Sequence, residues 1–351
     1  MSICTIFFQY IYKYVTKSFQ SKLNYVIIII IFPTITNYIL CGKIIIIHEV
    51  ILMYYATLRQ KQGECRALKQ LEEFGNDISK FVPNIIIKDA NQDCLDDIRK
   101  SYKGFVLLDV RDCEPEDIVV LEELLENNLN KDFEIMYPVE YIVDDNRKED
   151  KKYVRIDESV VNQFFIKWLN QNQSSLPNRV MLDFEFIDSE SSKISEFKSV
   201  LESLKKHEII IMSGAVPQTI PVSSEENYTL RRFEKDLFKK IEALAPTNSK
   251  LYFGDYTSVS PILSTGGRAI VQIKYTLKDD YWFVRNGLRR GNYDFVDVCK
   301  EISNSFDFDQ QNCWGDSFIQ SVVDENVNKG NPSVWTSIGI NKHIVACLNE
   351  L

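Results

Sequence analysis

Three aspartates in this 351-residue sequence each end a short apolar run. Asp109 ends Val-Leu-Leu-Asp, Asp183 ends Val-Met-Leu-Asp and Asp255 ends Tyr-Phe-Gly-Asp. A carboxylate placed where burial begins can have a perturbed pKa or bind a divalent cation. With Lys61 and His343 as acid or base groups, these aspartates could support metal-assisted hydrolysis of a phosphodiester. The commoner role of an acid after a strand is to cap the next helix, so both interpretations stay open.

A second candidate group could bind phosphate or another ligand. Its members are Arg59, Arg285, Arg289, Arg290 and Tyr256. Guanidinium groups pair with phosphate oxygens, and aromatic rings stack on bases. A solvated loop of arginines is the commoner outcome for a cluster of this kind. The net charge of -9 also argues against extended contact with nucleic acid.

Other common catalytic patterns are missing from the sequence. Only three histidines occur, so a zinc site of the usual kinds is not expected. The eight cysteines are dispersed without a C-x-x-C pair, which predicts reduced thiols and a cytoplasmic protein. No G-x-G-x-x-G, Walker or G-x-S-x-G motif is present. Asp316 is predicted to cap the helix that follows Trp314.

The strands and helices that would position these side chains begin at Met53. The composition is globular, with 45% hydrophobic and 26% charged residues. Apolar runs alternate with helical patterns, which predicts α/β structure and, from the count of strands, a TIM-barrel-like (β/α)8 fold with an additional C-terminal helical segment. The predicted strands cover 54–58, 82–87, 105–110, 134–141, 179–186, 208–212, 251–256 and 269–275. The carboxyl ends of parallel barrel strands converge on one rim, where these acids would meet.

Residues 1–52 differ in composition from the rest, with fifteen isoleucines and a single acidic residue. We interpret this segment as a suspect leader upstream of the true start at Met53, followed by a single domain over 53–351. A signal anchor is the alternative, because three lysines precede the apolar run Tyr25–Leu40, although that run is short for a bilayer span. Extra β-strands are a further alternative. With a start at Met53, no membrane contact is expected.

Several motifs resemble the Beta protein family, which comprises a phage protein called Beta and bacterial relatives. They are MYYATLRQKQGECRALKQL at Met53–Leu71, then VPNIII, GDY at Gly254–Tyr256, RNGLRRG at Arg285–Gly291, WGD at Trp314–Asp316 and WTSIGINKH at Trp335–His343. The similarity extends from Met53 to about Leu348. It implies a TIM-barrel-like fold and an association with phage genes and mobile elements, and it assigns no activity.

Three functions follow from the sequence as hypotheses. The first is a binding or effector component of a phage-related or defence-associated system, acting with a protein partner. The second is a metal-assisted phosphodiesterase or nuclease that uses the strand-end carboxylates and a divalent cation. The third, a membrane-anchored protein, depends entirely on residues 1–52.

Overall fold

The computed structural model describes residues 53–144, 151–189, 194–247, 249–263, 266, 268–290 and 293–351. The predicted leader, 1–52, lies outside these residues. In the part of the chain that is described, no helix is long and apolar enough to cross a membrane.

Eleven strands are described, and eight of them close into a parallel barrel. In chain order they are β1 (Tyr54–Arg59), β2 (Phe81–Ile86), β3 (Val106–Asp109), β4 (Phe133–Pro138), β5 (Tyr153–Asp157), β6 (Arg179–Phe186), β7 (Glu208–Gly214), β8 (Tyr228–Arg231), β9 (Lys250–Asp255), β10 (Ile270–Thr276) and β11 (Asp280–Leu288). The barrel order is β1-β2-β3-β4-β5-β6-β7-β9, and β9 pairs with β1 to close it. This topology confirms the predicted TIM-barrel-like fold.

Helices follow most of the barrel strands and cover the outer face of the barrel. In chain order they are α1 (Gln62–Phe74), α2 (Gln92–Ser101), α3 (Pro115–Leu125), α4 (Val139–Asp144), α5 (Gln163–Asn172), α6 (Ile194–Ser203), α7 (Phe233–Leu244), α8 (Phe295–Ser303), α9 (Trp314–Glu325) and α10 (Pro332–Glu350). Local sequence sets their ends. Asn91 caps α2 by accepting a hydrogen bond from the Cys94 N–H, and Gly75 ends α1 in the left-handed conformation.

The barrel has eight strands, as predicted. The prediction, however, assigned one strand to the barrel wrongly and missed another. The stretch 269–275 was expected to be the eighth barrel strand, whereas β10 belongs to a separate antiparallel sheet of order β10-β11-β8. Its residues alternate between buried and partly buried, as in a sheet with two different faces. The barrel strand that the prediction missed is β5, which follows a run of charged residues and carries Arg155 inside its short sequence.

The antiparallel sheet and the C-terminal helices form a second layer against the barrel. Apolar side chains of β10, β11, α8, α9 and α10 make a separate buried cluster. Helix α10 packs on both α1 and β10. The approach is close, because a Cβ at Gly339 would lie 2.6 Å from the carbonyl oxygen of Lys274. This contact fixes the position of His343 one turn further along α10.

Candidate functional site

The three strand-end aspartates do not point to the same side of the barrel. Leu107 and Met181, two residues before Asp109 and Asp183, belong to the cluster that fills the barrel interior. Because strand side chains alternate with a period of two, Asp109 and Asp183 also face the interior. Phe253, two residues before Asp255, belongs instead to the layer between barrel and helices. Asp255 therefore faces outward, toward α10.

All three aspartates share one local structural role. The Oδ1 atom of each accepts the backbone N–H two residues later, from Arg111 at 3.2 Å, Glu185 at 2.9 Å and Thr257 at 2.8 Å respectively. Side chains of Asp commonly stabilise turns in this way. Glu185 and Thr257 have φ values of 51° and 57°, which non-glycine residues rarely adopt. Asp109 and Asp255 therefore hold the turns that leave β3 and β9, whereas Asp183 holds an irregularity inside β6, where the strand register shifts before Phe186. The predicted alternative of helix caps is wrong.

Asp109 and Asp183 lie in one charged cluster, which we call the mouth network: Asp109, Arg111, Arg155, Asp183 and Tyr256. Arg111 Nη2 lies 2.5 Å from Oδ2 of Asp109 and 3.3 Å from Oδ2 of Asp183. Asp183 Oδ2 also accepts hydrogen bonds from Arg155 Nε at 2.8 Å and from the Tyr256 hydroxyl at 2.5 Å. Two aspartates are thus paired with two guanidinium groups.

The arginines determine the protonation of these buried carboxyls. Burial alone raises the pKa of Asp109, but the charge and hydrogen bonds of Arg111 outweigh it and lower the pKa to about 2. Burial also raises the pKa of Asp183, and the charges of Arg155 and Arg111 reverse that effect, so its pKa lies below the usual value. Both groups are ionised at neutral pH, and such carboxylates are weak bases.

Asp255 and His343 form a second cluster, which we call the outer network: Tyr54, Asp255, Thr276, His343 and Cys347. His343 Nε2 lies 2.8 Å from Oδ2 of Asp255, and its Nδ1 lies 3.0 Å from the Thr276 hydroxyl oxygen. The Tyr54 hydroxyl donates to Oδ1 of Asp255 at 2.6 Å. The cluster joins β1, β9, β10 and α10 in the interior of the protein.

His343 is held in its charged form by this arrangement. Burial by itself lowers the pKa of the imidazole, but the adjacent Asp255 carboxylate outweighs it and raises the pKa to about 10. Both ring nitrogens therefore carry protons at neutral pH and act as donors. Since the side chain is also fully buried, it is not available to take a proton from a bound substrate.

The outer network also contains the one group of described residues that could offer three metal-ligand atoms. Those atoms, from Asp255, His343 and Cys347, lie within 4.8 Å of one another. Arg232 Nη2 lies 3.1 Å from Cys347 Sγ, so a positive charge already borders the group. The proton on His343 and this guanidinium both oppose a bound cation.

The remaining predicted site residues lie apart from both networks. Lys61 is exposed at the position that precedes α1. Arg59 donates to the carbonyl oxygens of Ser260 and Pro261 at 3.3 and 2.5 Å. Arg290 is exposed beyond the end of β11.

The two other predicted arginines have structural contacts of their own. Arg285 Nη1 donates to the carbonyl oxygen of Ser223 at 2.6 Å. The exposed Arg289 lies over the rings of Tyr293 and Trp335, at 5.5 and 6.0 Å from their centroids. The three arginines of the RNGLRRG motif therefore have different surroundings, since Arg290 is exposed.

The sequence prediction omitted the two arginines on which the mouth network depends. Arg155 was missed together with β5, although the alternation in Tyr-Val-Arg-Ile-Asp is a signal for a strand. Arg111 stands two residues after Asp109, just beyond the carboxyl end of β3, and it was not among the predicted site residues. Asp316, predicted as a cap, is instead buried and paired with Lys342 at 2.8 Å, and Cys313 occupies the cap position of α9.

Comparison with known proteins assigns the family. A protein-family model described as Beta protein matches residues 54–349. The chain belongs to the Beta protein family. This confirms the predicted resemblance and places both the mouth network and the outer network within the Beta-family region.

Other comparisons add little to this assignment. No curated protein matched this Beta-family chain. A crystal structure of ScGas2 in complex with compound 9 is 11% identical with a TM-score of 0.33, and the match covers 76% of this chain and 68% of that one. The carboxyl transferase domain of Rhizobium etli pyruvate carboxylase with 3-bromopyruvate is 9% identical with a TM-score of 0.37, and the match covers 84% of this chain and 49% of that one.

Proposed function

We propose that this Beta-family protein is a binding or effector component that acts with a protein partner in a phage-related or defence-associated system, in the cytoplasm. The observation that carries the proposal is the pairing of Asp109 and Asp183 with Arg111 and Arg155 in the mouth network. The same pairing makes the alternative of a metal-assisted phosphodiesterase or nuclease the weaker candidate.

A hydrolytic site would need carboxylates that are free to bind a cation or to accept a proton. A divalent cation between Asp109 and Asp183 would displace or lie against Arg111, which contacts both carboxylates. Two positive charges in that position repel each other strongly at low dielectric. A general base also needs a pKa near the working pH, whereas the pKa of Asp109 is about 2.

Two exposed aromatic side chains are positions at which the proposed contact with a partner can be tested. Phe164, at the start of α5, is 87% exposed, and Phe306, after α8, is 102% exposed. Aromatic residues are enriched at protein interfaces, where the loss of water contact stabilises the complex.

We take the domain to be residues 53–351 and the segment 1–52 to be a leader, which sequencing of the N-terminus of the native protein would test.

The two functions are separated by an activity assay. We expect no Mg²⁺- or Mn²⁺-stimulated cleavage of bis(p-nitrophenyl) phosphate, single-stranded DNA or RNA beyond that of the Asp109→Asn/Asp183→Asn variant. Metal-stimulated turnover that is lost in this variant would overturn the proposal in favour of the hydrolase.

The partner is tested by affinity purification from the native host. We expect one protein to be recovered in stoichiometric amounts with the wild type and lost with Phe164→Ser/Phe306→Ser. Lys69→Met, which changes an exposed position of α1, is the control and should retain the partner. Recovery of no such protein, or equal recovery with the double variant, would refute the proposed contact.

A further inference from the structure

A cleft lies outside the barrel, between the antiparallel sheet, the segment after β7 and the beginning of α10. Its volume is about 790 Å³, and we call it the sheet cleft. Three basic residues, Arg268, Lys274 and Arg285, line it. No aspartate or glutamate is among its lining residues in the described part of the chain. In a protein with a net charge of -9, this is a local concentration of positive charge.

The alternation of β10 directs Lys274 into the cleft. Ile273 and Tyr275 pack into the apolar cluster of the C-terminal helices, so Gln272 and Lys274 face the opposite side. The ammonium group of Lys274 lies 5.7 Å from the ring centroid of Phe283. Burial, with the charge of Arg285 as the second cause, lowers the pKa of Lys274 to about 8. The cleft therefore disfavours the protonated lysine in its present surroundings.

Arg285 lies on β11, opposite Gln272 of β10 in the sheet register. Lys274 is two residues further along β10. The Arg285 side chain is 7% exposed. Nη1 donates to the carbonyl oxygens of Val222 and Ser223, but Nε has no hydrogen-bond partner among the described residues. Burial outweighs the favourable charge of Glu226 and lowers the pKa of Arg285, so the charge of its guanidinium is incompletely compensated. An anion in the cleft would compensate that charge.

We propose that the sheet cleft binds a small molecule that carries a phosphate group, with Lys274, Arg285 and Arg268 as its cationic contacts. The volume lies in the range of small-molecule pockets. Ammonium and guanidinium groups are the usual partners of a phosphate dianion, and the lining residue Ser224 adds a hydroxyl group. The site does not include the mouth network, so it stands whether or not the proposed binding function is correct.

Isothermal titration of the full chain with pyrophosphate, AMP and adenosine tests the site at constant ionic strength. Pyrophosphate and AMP should bind and adenosine should not. Lys274→Met should weaken binding by about tenfold, the value of one lost charge-assisted contact. Lys274→Arg should retain most of the affinity. The control Lys278→Met changes an exposed lysine beyond the end of β10 and should leave the dissociation constant within about twofold.

Three outcomes would overturn the proposal. The first is no binding of pyrophosphate or AMP with a dissociation constant below about 1 mM. The second is equal weakening by Lys274→Met and Lys278→Met, and the third is equal binding of citrate and pyrophosphate, which would indicate a site for anions in general. A thermal melt of Lys274→Met without ligand establishes that the variant is folded. In addition, NMR of reductively ¹³C-methylated protein should show a higher pKa for Lys274 when pyrophosphate is present, and an unchanged pKa would contradict direct contact.

Discussion

Arg111 holds Asp109 through two parallel hydrogen bonds, from Nε to Oδ1 at 3.0 Å and from Nη2 to Oδ2 at 2.5 Å. The same guanidinium lies 3.3 Å from Asp183, on the opposite side of the barrel mouth. One side chain therefore links the end of β3 to Asp183 of β6. Because Asp109 and Asp183 are fully buried, their charges are stabilised by the protein and not by water.

Replacement of Arg111 by Met should destabilise the protein strongly. The change leaves Asp109 without its bidentate partner and removes one of the two positive charges near Asp183. We expect the free energy of unfolding to fall by roughly 3 kcal/mol, the usual effect of breaking a buried ion pair. Urea denaturation of the variant and the wild type measures this difference.

The matched control for Arg111 is Lys152→Met, which removes a surface ion pair with Glu134. Its side chain is 67% exposed, so a loss below about 1 kcal/mol is expected. The double variant Arg111→Met/Asp109→Asn should lose less than the sum of the two single changes, since both remove the same interaction. Equal losses for Arg111→Met and Lys152→Met would contradict the role given to the mouth network.

The His343–Asp255 pair should make stability depend on pH. The pKa of His343 rises from 6.5 to about 10 on folding, so the folded protein binds a proton more tightly than the unfolded chain. The resulting stabilisation is complete below about pH 6.5 and is lost progressively as the pH rises toward about 10. The free energy of unfolding, wild type minus His343→Gln, should therefore decrease between about pH 6 and pH 9.

The difference between the two proteins is the informative quantity, because other groups titrate in the same range. Asp255→Asn should abolish most of the pH dependence as well, since it removes the charge that raises the pKa of His343. A difference that is constant over the whole pH range would show that His343 is neutral in the folded protein.

Replacement of Gly339 by alanine should destabilise the protein, although the residue lies inside a helix. Alanine normally stabilises a helix interior by about 1 kcal/mol relative to glycine. Here the added Cβ would lie 2.6 Å from the Lys274 carbonyl oxygen, which belongs to the backbone of β10 and cannot turn away. Gly339→Ala should lower the melting temperature and cost roughly 1 to 3 kcal/mol, as overpacking does. Asn349→Ala, an exposed change in the same helix, should cost less than about 0.5 kcal/mol, and equal effects would exclude the steric explanation.

The extent to which sequence predicts this protein follows from the range of the forces involved. Buried parallel strands are nearly continuous apolar runs, so β1 to β4 and the barrel fold can be recognised locally. Strand β5 cannot be recognised as easily, because Arg155 inside the barrel is stabilised by Asp183, which is 28 residues away. In β10, buried residues alternate with partly buried ones. This period of two is a local signal that is typical of an antiparallel strand with one buried face.

The contacts of the candidate site residues are even less predictable from local sequence than the strands are. The run of apolar residues before each aspartate predicts that Asp109, Asp183 and Asp255 end strands. Asp109 and Asp255 do, whereas Asp183 lies inside β6, which continues to Phe186. Which face each one occupies depends on how the barrel closes and on where α10 packs. The sequence also contains no sign that Arg111 reaches Asp183, because Arg111 follows β3, Asp183 lies on β6, and the two meet only across the barrel mouth.

Lys274 should reduce stability in the absence of a ligand, and the reduction should vanish at high pH. Its pKa is about 8 in the folded protein and 10.5 in the unfolded chain, so folding disfavours the protonated form. The penalty is complete below about pH 8 and shrinks as the pH rises toward about 10.5, where the lysine is neutral in both states. Urea denaturation should therefore show a gain in stability for Lys274→Met that is larger at about pH 7 than at about pH 10. The control Lys278→Met should show no such change with pH, and a gain for Lys274→Met that is equal at both pH values would mean that Lys274 is not protonated in a poorly compensated site.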